Sequence, residues 1–266
     1  PEPIVEDKKD TSKTAYDTIV VQVYNKENTL IRTLKNKYDK NGLFRMYWAL
    51  DEKGIRYPSR EKPEDKSPEP GGVNVLPGTY KVVMSFGSQK DSTTINVKFD
   101  PRLAISEETL LANYEANKQL ENEIGIASQA MDQLRNSNKI LDDILKQAKV
   151  KGESYDSLRN LTNATKDSIK MLVDELIGAK SDKQGITGEE NPSIIDYFYS
   201  AVFYLGSFNL PGPTQARTMT HAKNKLLPWL AKTNEFYEKQ WKEYQKFVEE
   251  AKLSPFEEVK SFQLND

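Results

Sequence analysis

The chain has no cysteine, a single histidine, and no apolar run near the roughly 20 residues that a membrane-spanning helix needs. The first absence removes disulfides, thiolate nucleophiles and cysteine-ligated metals, and leaves the compartment open. The second leaves His221, beside Lys223 and Lys225, with no serine or aspartate arrangement that reads as a triad. It is expected on a solvated face. A di-iron bundle needs Glu-x-x-His pairs projecting inward, and that motif does not occur. Charge of one sign is also lacking. The net charge is −2 with both signs interspersed, so there is no electrostatic case for nucleic acid or an anionic membrane. Gly71-Gly72 and Gly185-x-x-Gly188 lack the strand–helix context of a phosphate loop.

What is present points to slender modules. At 266 residues one large or two ordinary domains are expected. A hydrophobic fraction of 37% with a mean hydropathy of −0.72 is low for a compact α/β enzyme and suits a thin sandwich plus helices. Aromatics at 10% argue against disorder over most of the length.

Residues 1–17 are polar and proline-bearing, and Pro1-Glu2-Pro3 shows neither a basic nor an apolar leader region. They are read as a linker from something upstream, with any signal peptide outside them. Strands are expected at Thr18–Tyr24, Thr29–Leu34 and Gly42–Leu50, the last placing Phe44, Met46 and Trp48 inward. From Asp51 to Val75, Pro58, Pro63, Pro68, Pro70, Gly71 and Gly72 punctuate many charges, which predicts a long surface loop. Thr79–Phe86 and Ser92–Phe99 then form a hairpin about Gly87-Ser88-Gln89-Lys90. Five strands suffice for a small immunoglobulin- or fibronectin-III-like β-sandwich over residues 18–100.

At Asp100-Pro101 the period changes from 2 to about 3.6. Ser106 is the expected N-cap of a helix reaching about Val150, where Gly152 breaks it. Its seam reads Leu120, Ile124, Ala127, Met131, Leu134, Asn138, Leu141, Leu145, Ala148, with one polar interruption. A second helix spans about Ser154–Ala179 with Leu158, Leu161, Thr165, Ile169, Leu172 and Leu176 inward, and 181–190 is a loop. Asn191-Pro192 reads as cap and first position of a third helix to about Asn209, apolar nearly all round and therefore the most buried. A fourth runs from Pro213 to about Lys252, with Leu226, Leu230, Thr233, Tyr237, Trp241, Tyr244 and Val248 inward and a kink at Pro228. Ser254-Pro255 caps a terminal turn in which Phe256, Val259 and Phe262 pack back. The expectation is an up-down-up-down antiparallel four-helix bundle over 101–266.

Carboxylate pairs are numerous: Asp142-Asp143, Glu107-Glu108, Glu249-Glu250 and Glu257-Glu258. A glycosidase needs two converging in a cleft, whereas pairs at this density on helices read as solvated faces. Asp182–Glu190 has oxygen ligands without EF-hand spacing, and the sequons at Asn160 and Asn163 fall mid-helix. Trp229 and Trp241, with the tyrosines and phenylalanines of the last two helices, suit either core or a sugar-stacking platform. In the long loop, Arg56, Tyr57 and Arg60 are the candidate binding residues, for contact with another domain.

GLFRMYWAL at 42–50, LPGTYKVVMSF at 76–86 and INVKFDPR at 95–102 resemble the C-terminal region of bacterial sortilin-like, BNR-repeat "glycosyl hydrolase" proteins. Pro213-Thr214-Gln215-Ala216-Arg217 and the long last helix agree with the resemblance, which covers about residues 18–252. The chain departs from the pattern at Ala49, where many relatives carry aspartate. The resemblance implies a secreted or periplasmic bacterial protein with a β-propeller upstream of an immunoglobulin-like domain and helices. The propeller's Ser-x-Asp-x-Gly-x-Thr-Trp signature is absent here, so a hydrolase label would belong elsewhere. A non-catalytic accessory region without metal or cofactor is expected, its partner the upstream propeller and, further, carbohydrate or protein. The alternatives are a carbohydrate-binding module using loop 51–77 or exposed aromatics, and a glycoside hydrolase with a carboxylate pair where sandwich meets bundle.

Overall fold

The computed structural model describes residues 18–38, 42–63, 67–103, 105–151, 155–179, 192–206 and 211–250. The expected linker at 1–17, the break at Gly152, the loop 181–190 with its glycines and oxygen ligands, the cap at Asn191, the helix end at Asn209, and the terminal turn with Phe256, Glu257-Glu258, Val259 and Phe262 lie outside these residues. An N-terminal antiparallel β region is followed by helices, as the change of period at Asp100 implies. The chain divides into two units, Pro1–Ile55 with Glu64–Tyr114, and Arg56–Pro63 with Glu115–Asp266.

In the first unit, β1 (Thr18–Tyr24), β2 (Leu30–Lys37), β5 (Gly78–Phe86) and β6 (Gln89–Val97) form one antiparallel sheet in the order β2-β1-β5-β6. β-branched residues crowd β1, which, like β5, pairs on both sides. The β1–β2 turn closes on Asn25, whose side chain accepts the Thr29 N–H at 2.8 Å, while Asn28 takes the left-handed region at φ 58°. Gly87, also at φ 58°, permits the two-residue turn that pairs Phe86 with Gln89.

A separate ribbon pairs β3 (Asp51–Lys53) with β4 (Gly71–Asn74) inside the stretch expected to be loop. The third strand expected at Gly42–Leu50 does not form. Those residues join no ladder, and Phe44 stacks on Tyr38 instead of facing inward. Trp48 is held by its indole N–H, which donates 2.8 Å to the Asp51 carbonyl. The small core comprises Val23, Ile31 and Tyr80, with Trp48, Val75, Val82 and Val97 against it. The Tyr80 hydroxyl donates 2.6 Å back to the Leu76 carbonyl.

The ribbon is attached to β2 by charge and by hydrogen bonds. Arg32 and Asp51 are both buried, with Nε and Oδ1 3.4 Å apart. Arg32 also donates to the carbonyls of Glu69 and Pro70, and the Glu69 carboxylate accepts the Thr33 N–H at 2.9 Å. The two strands approach so closely that a Cβ on Gly54 would lie 2.1 Å from the Gly71 carbonyl oxygen.

The helices are α1 (Glu107–Lys151), α2 (Tyr155–Ile177), α3 (Ile194–Leu205) and α4 (Pro213–Phe236), the last passing through a π-helical turn (Tyr237–Trp241) into α5 (Lys242–Glu250). Ser106 caps α1 by accepting the Thr109 N–H at 3.1 Å. The α1 seam is buried as expected from Leu120 to Ala148, with Asn138 and Leu145 half-buried. The cap of α3 is Ser193, not Asn191, because the Asp196 carboxylate reaches back to the Ser193 N–H and hydroxyl at 2.8 and 2.6 Å. α4 continues through Pro228, which is exposed.

Side-chain pairs fix the helix directions in the second unit. Glu123 meets Lys223 and Ser137 meets Tyr237, so α1 and α4 run parallel. Thr162 meets Tyr244, Leu172 meets Trp229 and Glu175 meets Lys232, so α2 runs opposite to both. Tyr197 against His221 and Gln215 against Tyr204 make α3 antiparallel to α4 as well. α2 and α3 therefore lie in line, making one column of three where strict up-down alternation was expected. α3 has the largest buried share of the helices, as expected, but it is not buried all round. It buries Ile194, Ile195, Phe198, Ala201 and Leu205 but leaves Phe203 80% exposed, because a short helix in a column packs by one face.

Candidate functional site

The π turn matters because it resets a helical phase. Buried positions on α4 step by three and four through Ala222, Leu226, Trp229, Thr233 and Phe236. The next buried residue is Tyr244, one residue beyond the continuation of that heptad. One extra residue inserted as an i→i+5 turn absorbs the difference, and such turns are frequent at functional sites. It brings Tyr237 and Trp241 to the edge of the seam, each half-buried, where an unbroken α-helix would carry them past it.

Beside that turn a groove of about 580 Å³ opens between α1 and α5. Its α1 wall is the helical stripe Gln129, Asp132, Gln133, Asn136, Ser137 and Ile140; its other wall is Tyr237, Trp241 and Gln245. The floor is fixed by a 3.0 Å hydrogen bond between the Ser137 and Tyr237 hydroxyls. Burial pushes the Tyr237 phenol above its ordinary pKa, and the bond to Ser137 opposes this. Trp241 stacks on buried Tyr244, ring centroids 5.9 Å apart, and meets Tyr237 edge-on at 6.0 Å. The amides of Gln129, Gln133, Asn136 and Gln245 have no protein hydrogen-bond partner among the described residues.

Arg56, Tyr57 and Arg60 belong to the segment grouped with the helices. Tyr57 stacks on Tyr199 of α3, centroids 5.1 Å apart and planes 11° from parallel. Its phenol is pushed up by burial, then by Tyr199 and Glu121. Arg60 donates 2.8 Å to Asp174 and also to the Gly178 carbonyl at the end of α2. Arg135 pairs with Asp132 and donates to the Ser59 and Glu61 carbonyls at 2.6 and 3.0 Å. Arg56 is exposed, so the three residues do not converge on one point.

The remaining candidates fall on the surface or in ion pairs. His221 is exposed against the Tyr197 ring. Asp142 pairs with Lys166, Asp143 with Lys146 and Glu250 with Lys246. Trp229 is fully buried core. Glu123 is a buried carboxylate, with Gln119 donating to Oε1 at 3.1 Å and Lys223 3.9 Å away. A second groove, about 470 Å³ between α2 and α4, is crossed by the Lys232–Glu175 pair, with the Lys239–Glu235 pair along one wall. Among the described residues no group of three metal-ligating side chains comes together, and no helix is long and apolar enough to cross a membrane. Compared with protein-family models, curated proteins and solved structures, the chain matches none. The sequence singled out Trp241 but not the amides facing it; the spacing of Gln129, Gln133 and Asn136 along one helical stripe was the available signal.

Proposed function

We propose that this chain is a non-catalytic accessory region of a larger exported bacterial protein, secreted or periplasmic, whose β-propeller lies upstream, and that its work is binding. The observation that carries the reading is how the polar groups are used. Charged side chains are engaged with one another in Arg32–Asp51, Arg60–Asp174 and Asp142–Lys166. The buried Glu123, whose Oε2 has no partner among the described residues, stands without a second carboxylate described beside it. The amides of the α1/α5 groove, by contrast, have no protein partner among the described residues. The strand arrangement supports the immunoglobulin-like part. β2-β1-β5-β6 corresponds in order to strands C′, C, F and G of such a sandwich and β3-β4 to D and E. Tyr80, bonded back to Leu76 at the start of β5, stands where these domains carry a tyrosine corner. The helices supply a four-helix bundle built in three columns.

Two measurements test the reading. Sequencing the coding region upstream is expected to show repeated Ser-x-Asp-x-Gly-x-Thr-Trp motifs, and their absence rejects the propeller context and the sortilin-like, BNR-repeat resemblance. Incubating the chain with a panel of aryl glycosides is expected to release no phenol, and turnover removed by Glu123→Gln would overturn the non-catalytic reading.

A further inference from the structure

We infer that the groove between α1 and α5 is a binding site for a neutral oligosaccharide. The inference rests on the binding role proposed above and assigns its place and ligand class. A sugar presents hydroxyls that both donate and accept, and carboxamides are the side chains that do the same without charge. Gln129, Gln133, Asn136 and Gln245 supply such groups around one cleft and have no protein partner among the described residues. Aromatic surface for the apolar faces of pyranose rings comes from Trp241 and Tyr237. Those rings are pre-organised: Trp241 rests on Tyr244, and Tyr237 is tied to Ser137, so binding orders little that is loose.

Charge selects among ligands. Among the described residues no lysine or arginine lines the cleft. The nearby guanidinium, Arg135, is occupied by Asp132 and by the carbonyls of Ser59 and Glu61. An anionic glycan or a phosphate would find no cation and one carboxylate. Ile140 is the one aliphatic residue among the described lining residues, whereas the helix-in-groove mode needs a row of aliphatic pockets for anchors at i, i+3, i+4 and i+7. The volume lies within the about 300–1,000 Å³ of small-ligand clefts. From Gln129 to Ile140 the α1 wall runs about 16 Å at 1.5 Å per residue, the reach of a short chain of sugars.

The test titrates the whole chain with cellohexaose, maltohexaose, xylohexaose and chitohexaose, following tryptophan fluorescence and heat. Saturable binding of at least one is expected. The surface pair Gln133→Ala with Asn136→Ala should weaken it about tenfold while leaving the helical circular dichroism unchanged. Trp241→Ala should abolish it, and Trp241→Phe, which keeps a ring on Tyr244, should retain part. Met171→Ala, in the other groove, should change nothing. Failure of all four sugars to bind overturns the inference, as does binding that survives the Gln133/Asn136 pair. Equal competition by a proline-rich decapeptide at the same residues would also overturn it, in favour of a peptide groove. Cleavage of a bound sugar would overturn the non-catalytic reading and leave the site standing, so the two fail separately.

Discussion

The indole N–H of Trp229 donates to the carbonyl of Leu172 across 2.9 Å, joining α4 to α2 where the tryptophan is wholly buried. The bond gives a large aromatic side chain one orientation in the core of the helical unit, because a buried indole N–H without an acceptor costs about 1–3 kcal/mol.

Trp229→Ala should destabilise the helical unit by roughly 3–5 kcal/mol, combining lost burial with a cavity. Trp229→Phe should cost less, since much of the volume remains and the N–H is removed together with its need for a partner. Urea unfolding followed by helical circular dichroism ranks the two. Equal costs would show that the hydrogen bond, not packing, dominates.

Arg32 and Asp51 should behave as a buried pair. Asp51→Ala alone is expected to cost roughly 3–5 kcal/mol, because it strands the Arg32 guanidinium in the core. The double substitution Arg32→Met with Asp51→Leu should recover much of that loss. A double variant as unstable as the single one would mean that the donation from Arg32 to the Glu69 and Pro70 carbonyls matters more.

Acid should weaken the helical unit through Asp174. Burial works to raise its carboxyl, but hydrogen bonds from Lys170 and Arg60, both 2.8 Å, outweigh it and hold the pKa below the ordinary value. A carboxylate with a depressed folded pKa adds stability that is fully present above the unfolded value of about 3.9 and is lost as pH falls through the folded one. Denaturation midpoints should therefore drop below about pH 4, and Asp174→Asn should flatten that part of the profile. Identical profiles for the two proteins would assign the acid sensitivity to other groups.

Deleting Glu238 removes the extra residue of the π turn. Phe236, Trp241 and Tyr244 then fall on continuous heptad spacing, so helicity and thermal midpoint should be kept or raised. Tyr237 should lose its bond to Ser137, visible as a change in tryptophan and tyrosine fluorescence. A collapse of the fold would show that the π turn serves packing alone.

Segment 56–63 is held to the helices by Arg60 and Arg135. Arg135→Ala should speed tryptic cleavage after Arg60 several-fold, read by mass spectrometry, because the Ser59 and Glu61 carbonyls lose their donor. An unchanged rate would leave the Tyr57–Tyr199 stack as the main attachment.

Much of the architecture was legible because it repeats. The α1 seam follows one heptad spacing through nine positions from Leu120 to Ala148, and Ser106 sits where a first turn needs an acceptor. Alternation misled at Gly42–Leu50, since a strand also needs a neighbour and none pairs there. The β3–β4 ribbon was invisible for the opposite reason. Its residues are poor strand formers, and it exists because Arg32 and the close approach of Gly54 to Gly71 hold it. Of the site, Trp241 stood out by type, and Arg56, Tyr57 and Arg60 by lying in a long loop. Nothing local showed that Tyr57 and Arg60 would be engaged by Tyr199 and Asp174, more than a hundred residues away.

By itself the sequence determined the order of β then α and the α1 seam, because these depend on residue type and short-range period. The fourth-helix seam, expected through Leu230, Tyr237 and Trp241, instead buries Ala222, Trp229 and Phe236. Tertiary structure alone decided that α2 and α3 share a column, that one extra residue becomes a π turn, and that the three α1 amides Gln129, Gln133 and Asn136 face Trp241 across a groove. Each of those depends on which faces meet, and that is settled by long-range packing.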